Sequence, residues 1–370
     1  MARPHSSTTP IRVAVVAPSL DILGGQAVQA KAIVDGFAGS AVVNVRLVAV
    51  NPRLPSVFGA LQRVKYLRTI VTSIAYLARL VTQIPRVDVV HAFSASYYSY
   101  LLAPLPALLV ARLFGRSAIL NYHSGEAGDH LKRWPLSRWS MRWLPSRIVV
   151  PSRYLVEVFA EFGLKATVVS NTIPIERLTY RVRRPLRPRL LSNRNLEPMY
   201  NVACVLRAFA SVQAAHPSAE LVVAGDGSER GVLEALARSL ALRNVEFCGR
   251  VPNDRAAALY DRCDIYVNAS NIDNMPLSIL EAFACGLPVV TTDAGGIPYI
   301  VDPGRTALMV ERESPDALAA AVKRLLGDPD FAARLAAEAR QEAAARYAWA
   351  PIGEQWREVY DDLTRSRSGG

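Results

Sequence analysis

Residues 267–296 read VNASNIDNMPLSILEAFACGLPVVTTDAGG, and the parsing of this stretch decides the fold. The run Asp264-Ile265-Tyr266-Val267 leads into it as a buried strand, and Asn268 to Met275 is polar enough for a loop. Pro276 suits the first turn of a helix, where a missing N–H costs nothing. Leu277, Leu280, Phe283 and Ala284 then follow at helical spacing, and Gly286 stands where a helix stops. Leu287 to Thr291 is the next strand, closed by Gly295-Gly296. The pattern is a β-loop-α-β unit whose loop sits at the carboxyl edge of a sheet, where α/β proteins bind ligands.

Asp273 precedes the predicted helix and Glu281 lies inside it, with the amides of Met275, Leu277 and Ser278 between them. A helix N-terminus carries roughly half a positive charge and suits phosphate. A carboxylate beside phosphate repels it but accepts hydrogen bonds from hydroxyls. Hydroxyls on both sides of a diphosphate describe a sugar nucleotide. The plainer alternative is an ordinary capped helix with a solvated Glu281.

The pattern S-x-x-D-N-x-P-L-S-x-L-E-A-F-A-C-G-x-P-V-V-x-T-x-x-G-G resembles the donor-binding signature of retaining GT-B glycosyltransferases of family 4, usually E-G-F-G-L-x-x-L-E-A-x-A-x-G-x-P-V-V. Asp273 replaces the first Glu, Asn274 the first Gly and Pro276 the second Gly. The shorter carboxylate reaches less far, and Pro276 removes one phosphate-binding amide.

The 370 residues suffice for two α/β domains, and 51% hydrophobic against 20% charged residues indicates substantial cores. Cys204, Cys248, Cys263 and Cys285 form no C-x-x-C pair and read as small buried residues in a reducing compartment. Residues 1–180 carry 20 Lys and Arg against 8 Asp and Glu, whereas residues 181–370 carry 23 against 24. A basic half beside a neutral half suggests an anionic surface or substrate. No nucleic-acid-binding motif is recognisable, and Arg residues spread among apolar ones fit a membrane surface better.

Residues 1–10 are polar and read as disordered, without the apolar core of a signal peptide. Ile11 to Ala17 is a first strand, followed by a loop with Gly24-Gly25 and a helix over Ala27 to Phe37. Leu61 to Ile84 has helical apolar spacing, with Arg63, Lys65, Arg68 and Arg79 as its charges. It is too cationic to span a bilayer, and reads as a helix covering the first sheet or lying in a membrane interface. Leu101 to Phe114 carries Pro104 and Pro106 and reads as a buried helix that starts late. Strands at Val87 to Ala92 and Ala118 to Tyr122 follow, the latter running into His123. Arg181 to Arg189 (RVRRPLRPR) has no periodicity and reads as a linker. A second strand–helix series follows, with Gly225 in the loop after Leu221 to Ala224 and Arg250-Val251 after Val245 to Phe247.

The family resemblance extends along this series. It implies a GT-B fold: two Rossmann-like parallel-sheet domains facing across a cleft, with residues 1–180 on the acceptor side, 181–349 binding donor, and a closing helix in 350–370 returning to the first domain. Gly24 and Gly25 match the glycine-rich loop near donor and acceptor, and His123 a strand-end His facing the donor sugar. Gly225 matches the glycine loop after a central strand. Arg194 matches the Arg of the family's G-R-x-x-x-x-K-G; the Lys is absent, with Tyr200 or Asn201 in its place. The resemblance implies that Glu281 binds ribose hydroxyls and that Asp273 lies beside the donor sugar, with Asn274 in the same loop. Amides of Met275 and Leu277 hold phosphate, and Arg250-Val251 borders the base. His123 positions or polarises, Arg194 stabilises the leaving diphosphate, and no nucleophile is assigned. No Asp-x-Asp motif to hold a metal is recognised, so neither a metal nor any cofactor is expected. The implied reaction is transfer of a sugar from a nucleotide-diphosphate sugar to a glycan or lipid-linked acceptor. Its expected place is the cytoplasm, peripheral on the inner face of the plasma membrane. A sugar-nucleotide epimerase and a non-catalytic sugar-nucleotide-binding module are the alternatives.

Overall fold

Short apolar runs separated by helical segments build two parallel sheets in the computed structural model, which describes residues 9–19, 24–52 and 65–368. The first sheet contains β1 (Ile11–Ala17), β2 (Val43–Ala49), β3 (Val89–Ser94), β4 (Ser117–Tyr122), β5 (Arg147–Val150) and β6 (Ala166–Val168), ordered β2-β1-β3-β4-β5-β6. The second contains β7 (Arg189–Asn193), β8 (Glu220–Ala224), β9 (Val245–Gly249), β10 (Ile265–Val267), β11 (Val289–Thr292) and β12 (Leu308–Val310), ordered β12-β11-β10-β7-β8-β9. The chain divides into one unit of residues 1–170 with 349–370, and another of residues 171–348. The change of unit at 170/171 precedes the Pro/Arg-rich stretch from which the sequence placed it at 180/181.

Both faces of each sheet are covered, so strand residues are apolar on both sides. In β1, Ala14 and Val16 join one core with Tyr76, Leu80, Leu108, Met141 and Phe159. Val13 and Val15 join the opposite core with Ile33, Phe37, Ile352, Trp356 and Tyr360. The helix Trp349–Ser368 therefore completes the first unit, as the family resemblance implied. The second sheet alternates likewise, Tyr266 and Val289 facing the helices Leu277–Cys285 and Pro329–Tyr347, Ile265 and Val290 facing Val202–Ala215 and Pro315–Gly327.

Two expectations change, and a third is covered only in part. The supposed linker is pinned: Arg183 is buried and donates to the carbonyls of Tyr260, Cys263 and Cys285, while Arg181 and Arg187 flank the fully buried Asp264 at 2.6 and 2.8 Å. Charge-assisted bonds to carbonyls and to Asp264 thus override a composition that reads as loose. In Leu101 to Phe114 the helix does start late, at Pro104, after the short helix Tyr98–Leu102, but it is not buried throughout: Leu113 is 77% exposed. Within Leu61 to Ile84, residues 61–64, and so Arg63, lie outside the described residues, and the helix runs Lys65–Gln83. Among the described residues no helix is long and apolar enough to cross a membrane.

Candidate active site

The chain leaves β7 toward β8 and β9, then returns to place β10 on the other side of β7. Parallel strands that diverge in this way leave a crevice at their carboxyl ends. Arg194 directly follows β7, and Asp273 lies in the loop after β10, so the strand order alone brings them together. Arg194 Nη2 donates to Asp273 Oδ2 at 2.6 Å and Nη1 to Ser278 Oγ at 3.3 Å, with the guanidinium 4.1 Å from the Tyr200 ring centre. The two side chains are only 12% and 9% exposed. Burial opposes the Arg194 charge, but the Asp273 carboxylate outweighs it, and the guanidinium pKa is raised. Its Nε is buried without a partner.

Asp273 is fixed from several sides. Ser270 Oγ donates to Oδ2 at 3.1 Å, the Asn274 N–H to Oδ1 at 3.0 Å, and the Gly296 N–H to the Asp273 carbonyl at 3.0 Å. A Cβ on Gly295, at φ +51°, would lie 2.1 Å from the Asp273 carbonyl oxygen, and one on Gly296 1.9 Å from that of Asn274. Pro276 lies one residue before the helix Leu277–Cys285, just outside its first turn. The helix start leaves the Leu277 and Ser278 amides without intrahelical acceptors. Met275 is buried instead against Asn171, whose Nδ2 donates to its carbonyl at 3.3 Å.

Glu281 is half-buried. Tyr260 O–H donates to its Oε2 at 2.7 Å, and Asn193 Nδ2 donates to the Tyr260 oxygen at 3.0 Å. Burial pushes the Glu281 carboxyl up to about 7, against the opposing pull of the Tyr260 hydrogen bond. Gly225 (φ +130°) shapes the Arg194 loop: a Cβ there would lie 2.0 Å from the Arg194 carbonyl oxygen. Exposed Arg250 and half-buried Val251 follow the edge strand β9, two strands from β7, and share no described hydrogen bond with Arg194, Asp273 or Glu281. Sequence reasoning missed Tyr260, Tyr266 and Ser270, and of Ser278 it read the amide but not the hydroxyl. Tyr266 offered a signal, because a Tyr inside a buried strand needs a partner for its hydroxyl; it donates to Ser278 Oγ at 2.7 Å. An Asp-x-Asp does occur, at Asp328-Pro329-Asp330, but Asp328 caps the helix Pro329–Tyr347 and Asp330 pairs with Arg184.

The first sheet reverses between β1 and β3, and a cavity of about 890 Å³ opens there. Gly24, Gly25, Thr69, Thr72, Ser73 and Phe93 are part of its wall. A Cβ added to Gly24 or Gly25 would meet nothing within 4 Å, so both leave room for a close approach. Phe93 stacks on His123 with ring centres 5.2 Å apart. Burial pushes the His123 imidazole down to about 4, so it is neutral near pH 7, and its Nε2 is buried without a partner.

Residues 183–342 match the model for Glycosyl transferases group 1, and residues 11–177 that for Glycosyltransferase Family 4. A glycogen synthase of Mycobacterium tuberculosis is 31% identical over 291 residues, spanning 74% of this chain and 69% of that protein. A D-inositol 3-phosphate glycosyltransferase of Corynebacterium jeikeium is 32% identical over 167 residues, or 43% and 40% of the two. In fold, Anabaena HepE in complex with UDP and glucose matches with a TM-score of 0.75 at 17% identity, covering 95% of this chain and all of that one. Sucrose-phosphate synthase of Thermosynechococcus elongatus matches at 0.78 and 17% identity, over 96% and 100%. Two Rossmann-like units with six parallel strands each define the GT-B class. The chain belongs to the family 4 glycosyltransferases.

Proposed function

We propose that this enzyme transfers a sugar, with retention of anomeric configuration, from a nucleotide-diphosphate sugar to a hydroxyl of a glycan or lipid-linked acceptor. The observation that carries the reading is the buried Arg194–Asp273 pair beside the open amides of Leu277 and Ser278, with Glu281 further along the same helix. The UDP bound to HepE, on the same fold, supports a nucleotide donor. In this reading the amides and Arg194 receive the diphosphate, Glu281 accepts from the ribose hydroxyls and Asp273 from the sugar. As the bond from the anomeric carbon to phosphate oxygen breaks, the acceptor oxygen bonds to that carbon on the same face. Its proton passes to the departing phosphate, and the growing negative charge falls where the fixed cation and amides already point. No protein nucleophile and no metal enter. The acceptor takes the cavity at Gly24-Gly25, and neutral His123 positions a hydroxyl through its free Nε2.

Incubation with UDP- and GDP-sugars tests this. The expected result is release of nucleoside diphosphate that accelerates with acceptor, and a product whose anomeric proton coupling matches the donor's. Inversion would refute retention. One observation favours a non-catalytic binding module: Asp273 already meets the Arg194 charge, and Tyr200 stacks on it in the region where the resemblance has a Lys. Donor binding without any release would select that reading.

A further inference from the structure

The helices Lys65–Gln83, Pro104–Leu113 and Pro135–Trp143 contribute to one core, on one face of the first sheet, and so form one layer. Burying their inner faces does not use up their apolar residues. Lys65–Gln83 turns Tyr76 and Leu80 inward but leaves Ile70, Ile74, Leu77 and Val81 exposed, a stripe at helical spacing. Pro104–Leu113 exposes Leu109 and Leu113, and Pro135–Trp143 exposes Leu136, Trp139 and Trp143. Among the described residues of this unit, the other large exposed apolar side chains are Tyr98 and Leu102 on the short helix before Pro104, Phe114 just after Leu113, and Val42. The opposite layer, Gly25–Gly36 and Trp349–Ser368, exposes none.

The three helices themselves carry basic residues and no acid. Between Asp35 and Glu126 the sequence has a single acid, Asp88, and it is paired with Arg12. On these three helices Arg79 and Arg112 are exposed; the acids of the same face, Asp129, Glu157 and Glu161, lie on the neighbouring helices Ala127–Arg133 and Arg153–Glu161, and Glu354, Glu358, Asp361 and Asp362 sit on the opposite layer. An exposed apolar patch with tryptophans, on three helices that carry cations and no acid, matches an anionic lipid interface: rings and aliphatic chains enter below the headgroups while guanidinium groups meet phosphate. We propose that this three-helix layer docks on an anionic bilayer. Lys65–Gln83 also presents Thr69, Thr72 and Ser73 to the Gly24-Gly25 cavity, so the same helix that enters the interface forms a wall of that cavity. Docking therefore brings a lipid-linked hydroxyl to the cavity without extracting its lipid. The inference does not depend on the transfer reading, because it concerns a surface rather than a reaction.

The test is flotation of the full chain with vesicles of phosphatidylcholine alone or mixed with phosphatidylglycerol, without donor or acceptor. Binding is expected to the mixed vesicles only, weakening with salt, with a blue shift of tryptophan emission. W139S/W143S is expected to lose the shift, and R79E/R112E to lower partitioning at least roughly tenfold. These four residues lie outside the donor unit, so a thermal shift with UDP- or GDP-sugar, unchanged in both variants, checks the fold and the donor reading separately. Equal binding to neutral and anionic vesicles, or none at low salt, overturns the proposal. So does a dimer in sedimentation that W139S/W143S converts to monomer, because a second copy would then cover the face.

Discussion

Glu281 holds a carboxyl in a place that resists its charge. Its folded-state value of about 7 lies above the ordinary 4.5, so between those values the native protein binds more protons than the unfolded chain. Stability must then fall as pH rises through that window, with the whole loss present above about 7. Melting temperatures across the window are expected to show this decline, and Glu281→Gln to flatten it; an unchanged slope in the variant would remove Glu281 as the cause. Affinity for an intact nucleotide sugar, whose diphosphate does not titrate in this range, is expected to rise across the same window. Arg194→Ala is expected to lower kcat by roughly a hundredfold, on the order of 3 kcal/mol, as for one lost oxyanion donor. Since Arg194 and Asp273 touch, the effects of Arg194→Ala and Asp273→Asn should couple by about 1–3 kcal/mol in a double-mutant cycle. Strict additivity would mean that the ion pair plays no part in turnover. The places of Asp273 before a helix and Glu281 within it were legible in the sequence because helix starts reveal themselves by local pattern, and Arg194 was picked out by the family resemblance. Their pairing was not: Arg194 and Asp273 stand 79 residues apart, and only the strand order joins them.

Elements are fixed as much by what glycine leaves out as by what side chains add. Gly296→Ala should cost about 1–3 kcal/mol in urea unfolding and loosen donor binding, because its Cβ would displace the Asn274 carbonyl. Gly24→Ala has space around it and should leave the urea midpoint unmoved, so any loss of turnover there reports on a substrate. If the two variants are equally unstable, the packing argument fails. Asp264→Ala should destabilise on the order of 3 kcal/mol, because it strips the buried partner from Arg181 and Arg187. A change within experimental error would show that the Arg-rich stretch is as loose as its composition suggests. That stretch was misread because proline and arginine mark linkers by frequency, whereas a buried acid distant in sequence decides the matter. Chelation by EDTA should leave activity intact if, as proposed, Arg194 and the helix start meet the leaving group; loss restored by Mn²⁺ would refute this.

Across the whole molecule, the alternation of apolar runs and helices made two parallel sheets legible, but not which strands border a switch point. The Gly24-Gly25 cavity and the Arg194–Asp273 pair both sit at such points, β1/β3 and β7/β10, so each depends on a connection that crosses its sheet. The first unit also borrows its last helix from the far end of the chain: Ile352, Trp356 and Leu363 complete its core, and buried Tyr360 hydrogen-bonds His91 Nδ1 at 2.8 Å. A fragment of residues 171–348 is therefore expected to melt cooperatively by circular dichroism, and one of residues 1–170 to do so only when residues 349–370 are fused to it. Cooperative melting of 1–170 alone would show the helix to be dispensable. The same arrangement sets the order of events during synthesis. The first unit leaves the ribosome with an apolar flank open, and roughly two hundred more residues must be translated before the closing helix arrives. At about 5–20 residues per second this leaves the nascent flank uncovered for on the order of ten to forty seconds. The part of the protein made second is thus the first able to finish folding, and the part made first has to be kept from aggregating in the meantime.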